Sequence, residues 1–152
     1  MTEILNSNQI VNLSNKHGLP IKAVYLSGAI PPTAPVNGFY VFNMDRHPNG
    51  HGTHWVAAFC TNNDCVYFDS FGFPPNVPVM DFLKRRYADP HFSSREIQDY
   101  YHDTCGDWCI AFGIAAKKNL NEMGLVGATN YFLNQFDNHT MYNELLLKNM
   151  NI

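Results

Sequence analysis

The chain has 152 residues, 45% of them hydrophobic and 14% aromatic, enough apolar material for a single domain, residues 1–152, with a real core. Its formal charge of −3 gives the whole-molecule field no reason to attract nucleic acid, and Lys84-Arg85-Arg86, the densest basic patch, reads as the solvated face of a helix. Four cysteines are too few for a disulfide scaffold, nothing at the N-terminus has the pattern of a signal peptide, and no apolar run approaches the ~20 residues of a membrane helix, so a soluble protein in a reducing compartment is expected.

In chain order, Thr2-Glu3 followed by Ile4, Leu5, Ile10, Val11 and Leu13 predicts a short helix that ends before His17-Gly18. Residues 21–26 read as a strand, and the proline-rich stretch from Gly28 to Gly38 as a loop. Residues 39–44 form the next expected strand, Asp45 to Gly52 a turn-rich loop. Residues 54–60 and 65–69 flank a turn at Asn62-Asn63-Asp64 and predict a β-hairpin. Pro74, Pro75 and Pro78 interrupt the chain, Val79 to Ala88 has helical spacing, and Phe92 to Gln98 reads as extended. A helix from Cys105 and two more, around 128–137 and 140–149, complete an α+β pattern with a small sheet packed by helices.

The chemistry concentrates in Tyr101-His102-Asp103-Thr104-Cys105-Gly106-Asp107-Trp108-Cys109, with Gln98 seven positions before Cys105. Apolar residues recur at helical steps after Cys105, which puts its thiol in the first turn of a helix. Unpaired N–H groups and the positive dipole end there favour a thiolate, and can bring a cysteine pKa from about 8.5 to roughly 3.5–7.5. Gly106 leaves room for a substrate carbonyl beside the sulfur. The amides of Cys105 and Gln98 are candidate oxyanion donors. A base is available in His54, which opens the first hairpin strand, and Asp69 closes the second, so imidazole and carboxylate fall at the same open end and can pair. His51 and His102 read as ordinary loop residues, and Cys60, Cys65 and Cys109 as buried structural thiols.

The order His54, Asp69, Gln98, Cys105 resembles that of the adenain-type cysteine proteases and their wider clan with the ubiquitin-like-protein proteases. The matching pieces are His54-Trp55, the strand and acid followed by Phe-Gly-Phe (Tyr67 to Phe73), and Gln98-x6-Cys105-Gly106-x2-Cys109. The likeness spans roughly residues 1–118, and Asp69 stands where adenain carries a glutamate. The resemblance implies a permuted papain-like fold with the nucleophile at a helix N-terminus. It also implies endopeptidase cleavage after Gly-Gly-like motifs, with Trp55 walling a slot that admits only glycines. Viral capsid or virion proteins are the implied substrates, and the virion or the host cytoplasm at the assembly site the implied location. Residues 82–97 hold no cysteine to tether an activating peptide, so neither such a peptide nor DNA is expected to be required, and no metal or cofactor is expected.

Three alternatives stay in view. One is an isopeptidase that removes a ubiquitin-like modifier. Another is a zinc-stabilised binding module built from Cys60-x4-Cys65 with Cys105-x3-Cys109, or from His51-x2-His54 with two cysteines, although these lie in strand and helix patterns rather than tight knuckles. The third is an inactive interaction domain on the same fold.

Overall fold

The computed structural model describes residues 4–44 and 53–152. Its elements are α1 (Ser7–Lys16), β1 (Ile21–Leu26), a 3-10 turn (Ser27–Ala29), β2 (Gly38–Asn43), β3 (Trp55–Cys60), β4 (Cys65–Phe68), α2 (Val77–Lys84), β5 (His91–Phe92), α3 (Cys105–Leu133) and α4 (Thr140–Asn149). The expected loop at 45–52, with His51, and the helix start at Thr2-Glu3 lie outside the described residues.

The five strands form one mixed sheet in chain order, β1-β2-β3-β4-β5. The outer pairs β1–β2 and β4–β5 are parallel, and the inner pairs β2–β3 and β3–β4 are antiparallel. The strands read as continuous apolar runs because helices cover both faces, and the two-residue period of the pleat divides each run between two cores. Phe39 and Val41 of β2, Trp55 and Ala57 of β3, and Val66 and Phe68 of β4 face the core that α1 and α3 cover with Ile10, Trp108 and Phe112. Tyr40, Phe42, Val56, Ala58 and Tyr67 face the second core, closed by Val79, Phe82 and Leu83 of α2.

Several boundaries differ from the sequence expectation, each for a local reason. Helix α1 starts at Ser7 because Asn6 and Gln9 form a reciprocal capping box, each side chain accepting from the other's backbone N–H. Helix α2 starts at Val77, capped by the Asn76 side chain, so Pro78 sits in its first turn, where a missing N–H costs nothing. The extended stretch expected from Phe92 to Gln98 pairs only at His91–Phe92. The N–H groups of Ile97 and Gln98 instead converge on the carbonyl of Ser70, which turns the chain back toward the end of β4. Helix α3 is two helical segments joined across Gly124, whose φ is 71°, so the helix expected at 128–137 is present as the second segment but starts earlier and ends at Leu133. Lys84, Arg85 and Arg86 are exposed at the end of α2, as expected of a solvated face, and the two arginines are also engaged. Arg85 donates to the carbonyls of Pro31 and Ala34, and Arg86 to that of Val36 and the side chain of Asn62, tying α2 to the proline-rich loop.

Candidate active site

The hairpin carries out its expected geometric task. His54 immediately precedes β3, Asp69 immediately follows β4, and the histidine Nε2 lies 2.9 Å from the aspartate Oδ1, with both residues buried. The same carboxylate oxygen accepts the backbone N–H of Phe71 at 2.9 Å, which fixes the acid within its own turn. That turn needs Gly72. Its φ is +78°, and a Cβ would come within 2.9 Å of the backbone of Arg95. The Phe71 ring lies against the imidazole, with centroids 5.2 Å apart.

Cys105 is the first residue of α3, and its sulfur rests on the backbone that carries His54. The Trp55 N–H points to Sγ at 3.4 Å, and the Thr53 carbonyl lies 3.9 Å from it. His54 and Cys105, distant in sequence, therefore meet at the start of the central strand β3. Gln98 is fully buried beside them. Its Oε1 accepts from the Ser70 hydroxyl and its Nε2 donates to the His102 carbonyl at 2.6 Å, so the residue after the acid also orients the carboxamide.

The electrostatics correct one expectation. Burial pushes the Cys105 thiol up, to about 12, rather than down. The N–H groups of Trp55 and Gly106 work in the thiolate's favour, as a helix start should, while the charges of Asp69 and Asp107 work against it. Desolvation outweighs the helix end because Cys105 is 0% exposed. Burial thus opposes the thiolate that the helix start favours. Burial likewise raises the Asp107 carboxyl to about 6.

The room beside Gly106 is also filled. A Cβ there would meet Ile10 and Leu5, each at 3.2 Å, so the glycine lets the N-terminal segment pack against the first turn of α3. Trp55 is buried under the same segment, its indole N–H donating to the Leu5 carbonyl at 2.8 Å. A cavity of about 340 Å³ opens next to it, lined by Ile4, Leu5, Asn6, Ser7, Asn43, Thr53 and Trp55.

The remaining cysteines are buried. Cys60 and Cys65 face each other across β3 and β4 in the core under α2, whereas Cys105 and Cys109 belong to the core under α3. The four-cysteine zinc arrangement is thus split between opposite faces of the sheet. Among the described residues, no three His, Cys, Asp or Glu side chains gather at metal-binding distance, and no helix is long and apolar enough to cross a membrane.

His102 is drawn into the site's surroundings rather than into the site. Its Nδ1 pairs with Asp99 at 2.8 Å, while its backbone carbonyl holds Gln98. Residues without a local sequence signal also matter: Ser70 on the amide, Leu5 over Gly106, and Glu144 of α4, which receives the Thr104 hydroxyl and the Trp108 indole N–H. Adjacency to Asp69 could have marked Ser70, but nothing near Glu144 in sequence marks it. No family model matches the chain, and no curated protein does.

Proposed function

We propose that this chain is a thiol endopeptidase of the adenain type that cleaves after Gly-Gly-like sequences and processes virion proteins. The observation that carries the reading is the His54–Asp69 pair at 2.9 Å with the Cys105 sulfur set on the backbone between Thr53 and Trp55. With Nε2 engaged by Asp69, Nδ1 is the ring nitrogen for proton exchange. In acylation, Cys105 loses its S–H proton to His54 as the sulfur bonds to the scissile carbonyl carbon, and Asp69 stabilises the imidazolium. A protonated resting thiol suits this concerted transfer. The oxyanion is met by the Cys105 backbone N–H and by Gln98, whose carboxamide nitrogen carries two N–H bonds, one of them used on His102. As the C–N bond breaks, His54 returns the proton to the leaving amine. Water, deprotonated by His54, then cleaves the thioester and restores the thiol. The preference for glycine is assigned to Trp55, which lines a cavity of about 340 Å³ together with Ile4, Leu5, Asn6 and Ser7 of the N-terminal segment.

The test is a peptide library with Gly-Gly at the cleaved side, incubated with the purified protein and mapped by mass spectrometry. Cuts after Gly-Gly that vanish in Cys105→Ala are expected. Equal cutting after leucine, alanine and glycine would remove the slot, and no cutting of any peptide would remove the activity.

A further inference from the structure

We propose that Glu144, on α4, is a positioning residue for the nucleophile, acting through Thr104. This rests on the peptidase reading above and extends it to the C-terminal helix. Glu144 binds both sides of Cys105 in sequence. Its Oε1 accepts the Thr104 hydroxyl at 2.5 Å, and its Oε2 accepts the Trp108 indole N–H at 3.2 Å, one donor just before the nucleophile and the other one helical turn after it.

Thr104 is the residue at the N-cap of α3, where a threonine hydroxyl ordinarily accepts from an N–H of the first turn. Here it makes no such bond, and its backbone, φ −104° and ψ 13°, is outside the extended conformation of a capping residue. The hydroxyl is spent as a donor to Glu144 instead. This matters because the first-turn N–H groups have another use: that of Gly106 favours the Cys105 sulfur. Losing either end of the bond, the carboxylate or the hydroxyl, frees Thr104 and with it the first turn that presents this donor to the thiol.

The rest of α4 holds the segment that leads into the nucleophile. Thr140 donates to Asp99 at 2.9 Å, and Asn143 donates to the carbonyl of Ile97 at 3.1 Å. Positions 140, 143 and 144 share one helical face, so a single surface of α4 fixes residues 97–104, which carry Gln98 to Cys105. Glu144 is the member of this face that touches both neighbours of the sulfur. A half-buried carboxylate is costly to place unless its acceptors are filled, and both are. An apolar residue would pack there without orienting either donor. Oε1 alone lies within 2.5 Å of the Thr104 hydroxyl and 3.4 Å of the indole nitrogen, so a glutamine at this position keeps the essential acceptor.

The test uses full-length Glu144→Ala, Glu144→Gln, Thr104→Val and the Ala/Val double variant. Three readouts are taken: kcat and KM on a Gly-Gly peptide, thermal unfolding, and the Trp55 amide resonance in a proton–nitrogen correlation spectrum, which reports its bond to the Cys105 sulfur. Glu144→Ala is expected to lower kcat about 10-fold or more with KM changed less than threefold, and to move the Trp55 amide. Thr104→Val reproduces both effects, the double variant is no worse than either, and Glu144→Gln restores most of the loss. Folded Glu144→Ala protein with near-normal kcat and an unmoved Trp55 amide overturns the proposal, as does an additive loss in the double variant. If the unaltered protein cuts no peptide, the peptidase reading fails, and the Trp55 resonance still decides whether Glu144 positions Cys105.

Discussion

Asp107 and Cys105 share the first turn of α3, and their charges oppose each other. Replacing Asp107 by asparagine removes a charge that disfavours the thiolate, so the Cys105 pKa should fall from about 12. A fall of about half a unit would triple the thiolate fraction, seen as faster iodoacetamide labelling of Cys105 at pH about 8. The ratio of variant to unaltered rate should shrink toward one as pH drops below about 6, where Asp107 itself becomes neutral. The raised Asp107 pKa also lowers folding stability as pH rises from the ordinary carboxylate range through about 6, a loss the asparagine variant should not show in thermal melts. For the proposed catalysis, Cys105→Ala and His54→Ala should each reduce turnover about 10³-fold or more, and Asp69→Asn should cost less, because the carboxylate orients rather than transfers. Equal losses for all three in single-turnover assays would assign Asp69 a larger part. The pairing of His54 with Asp69 was legible because the turn between their strands is short. The thiol's acidity was not, since the burial that raises it comes from a core assembled from residues far apart in sequence, which no local pattern ties to Cys105.

At the scale of elements, the sheet and the long helix meet through aromatic rings. Phe112 stacks on Phe68 of β4 with centroids 4.8 Å apart and also contacts Phe39 of β2 and Phe132 further along α3. Phe112→Ala should therefore cost about 3–5 kcal/mol, measured as a shift of the urea midpoint with unchanged slope. A loss under 1 kcal/mol would mean that α3 repacks freely on the sheet, and would weaken every claim that depends on where its first residue sits. Strands β2, β3 and β4 were readable because their apolar runs are bounded by turn residues. The strand expected after Phe92 was not formed over its length, because the Ser70 carbonyl competes for the amides of Ile97 and Gln98. Such a competitor, more than twenty residues away, has no trace in a window of local sequence. The separation of the Cys105 helix from the one expected at 128–137 is found at Gly124, whose φ of 71° interrupts the helical backbone.

For the whole molecule, charge argues against a nucleic-acid cofactor. The net charge is −3, and of the three cations at 84–86, Arg85 and Arg86 are already engaged by carbonyls of the proline-rich loop. Non-specific DNA affinity requires several phosphates to be neutralised at once. Adding duplex DNA at about 0.15 M salt should change the cleavage rate less than threefold. A larger, salt-sensitive stimulation would require a basic surface elsewhere on the chain. The order of the strands bears on something else, the order of synthesis. All five strands pair with their sequence neighbours, and the last ends at Phe92, before the helix that begins with Cys105. The bond between the Trp55 amide and the Cys105 sulfur spans 50 residues, and α3 can dock only after the ribosome has released it. A nascent chain therefore presents its five described strands before it can supply the helix that closes one of their two cores. Contact between the Cys105 sulfur and the Trp55 amide, and any chemistry that depends on it, therefore waits until that helix has emerged.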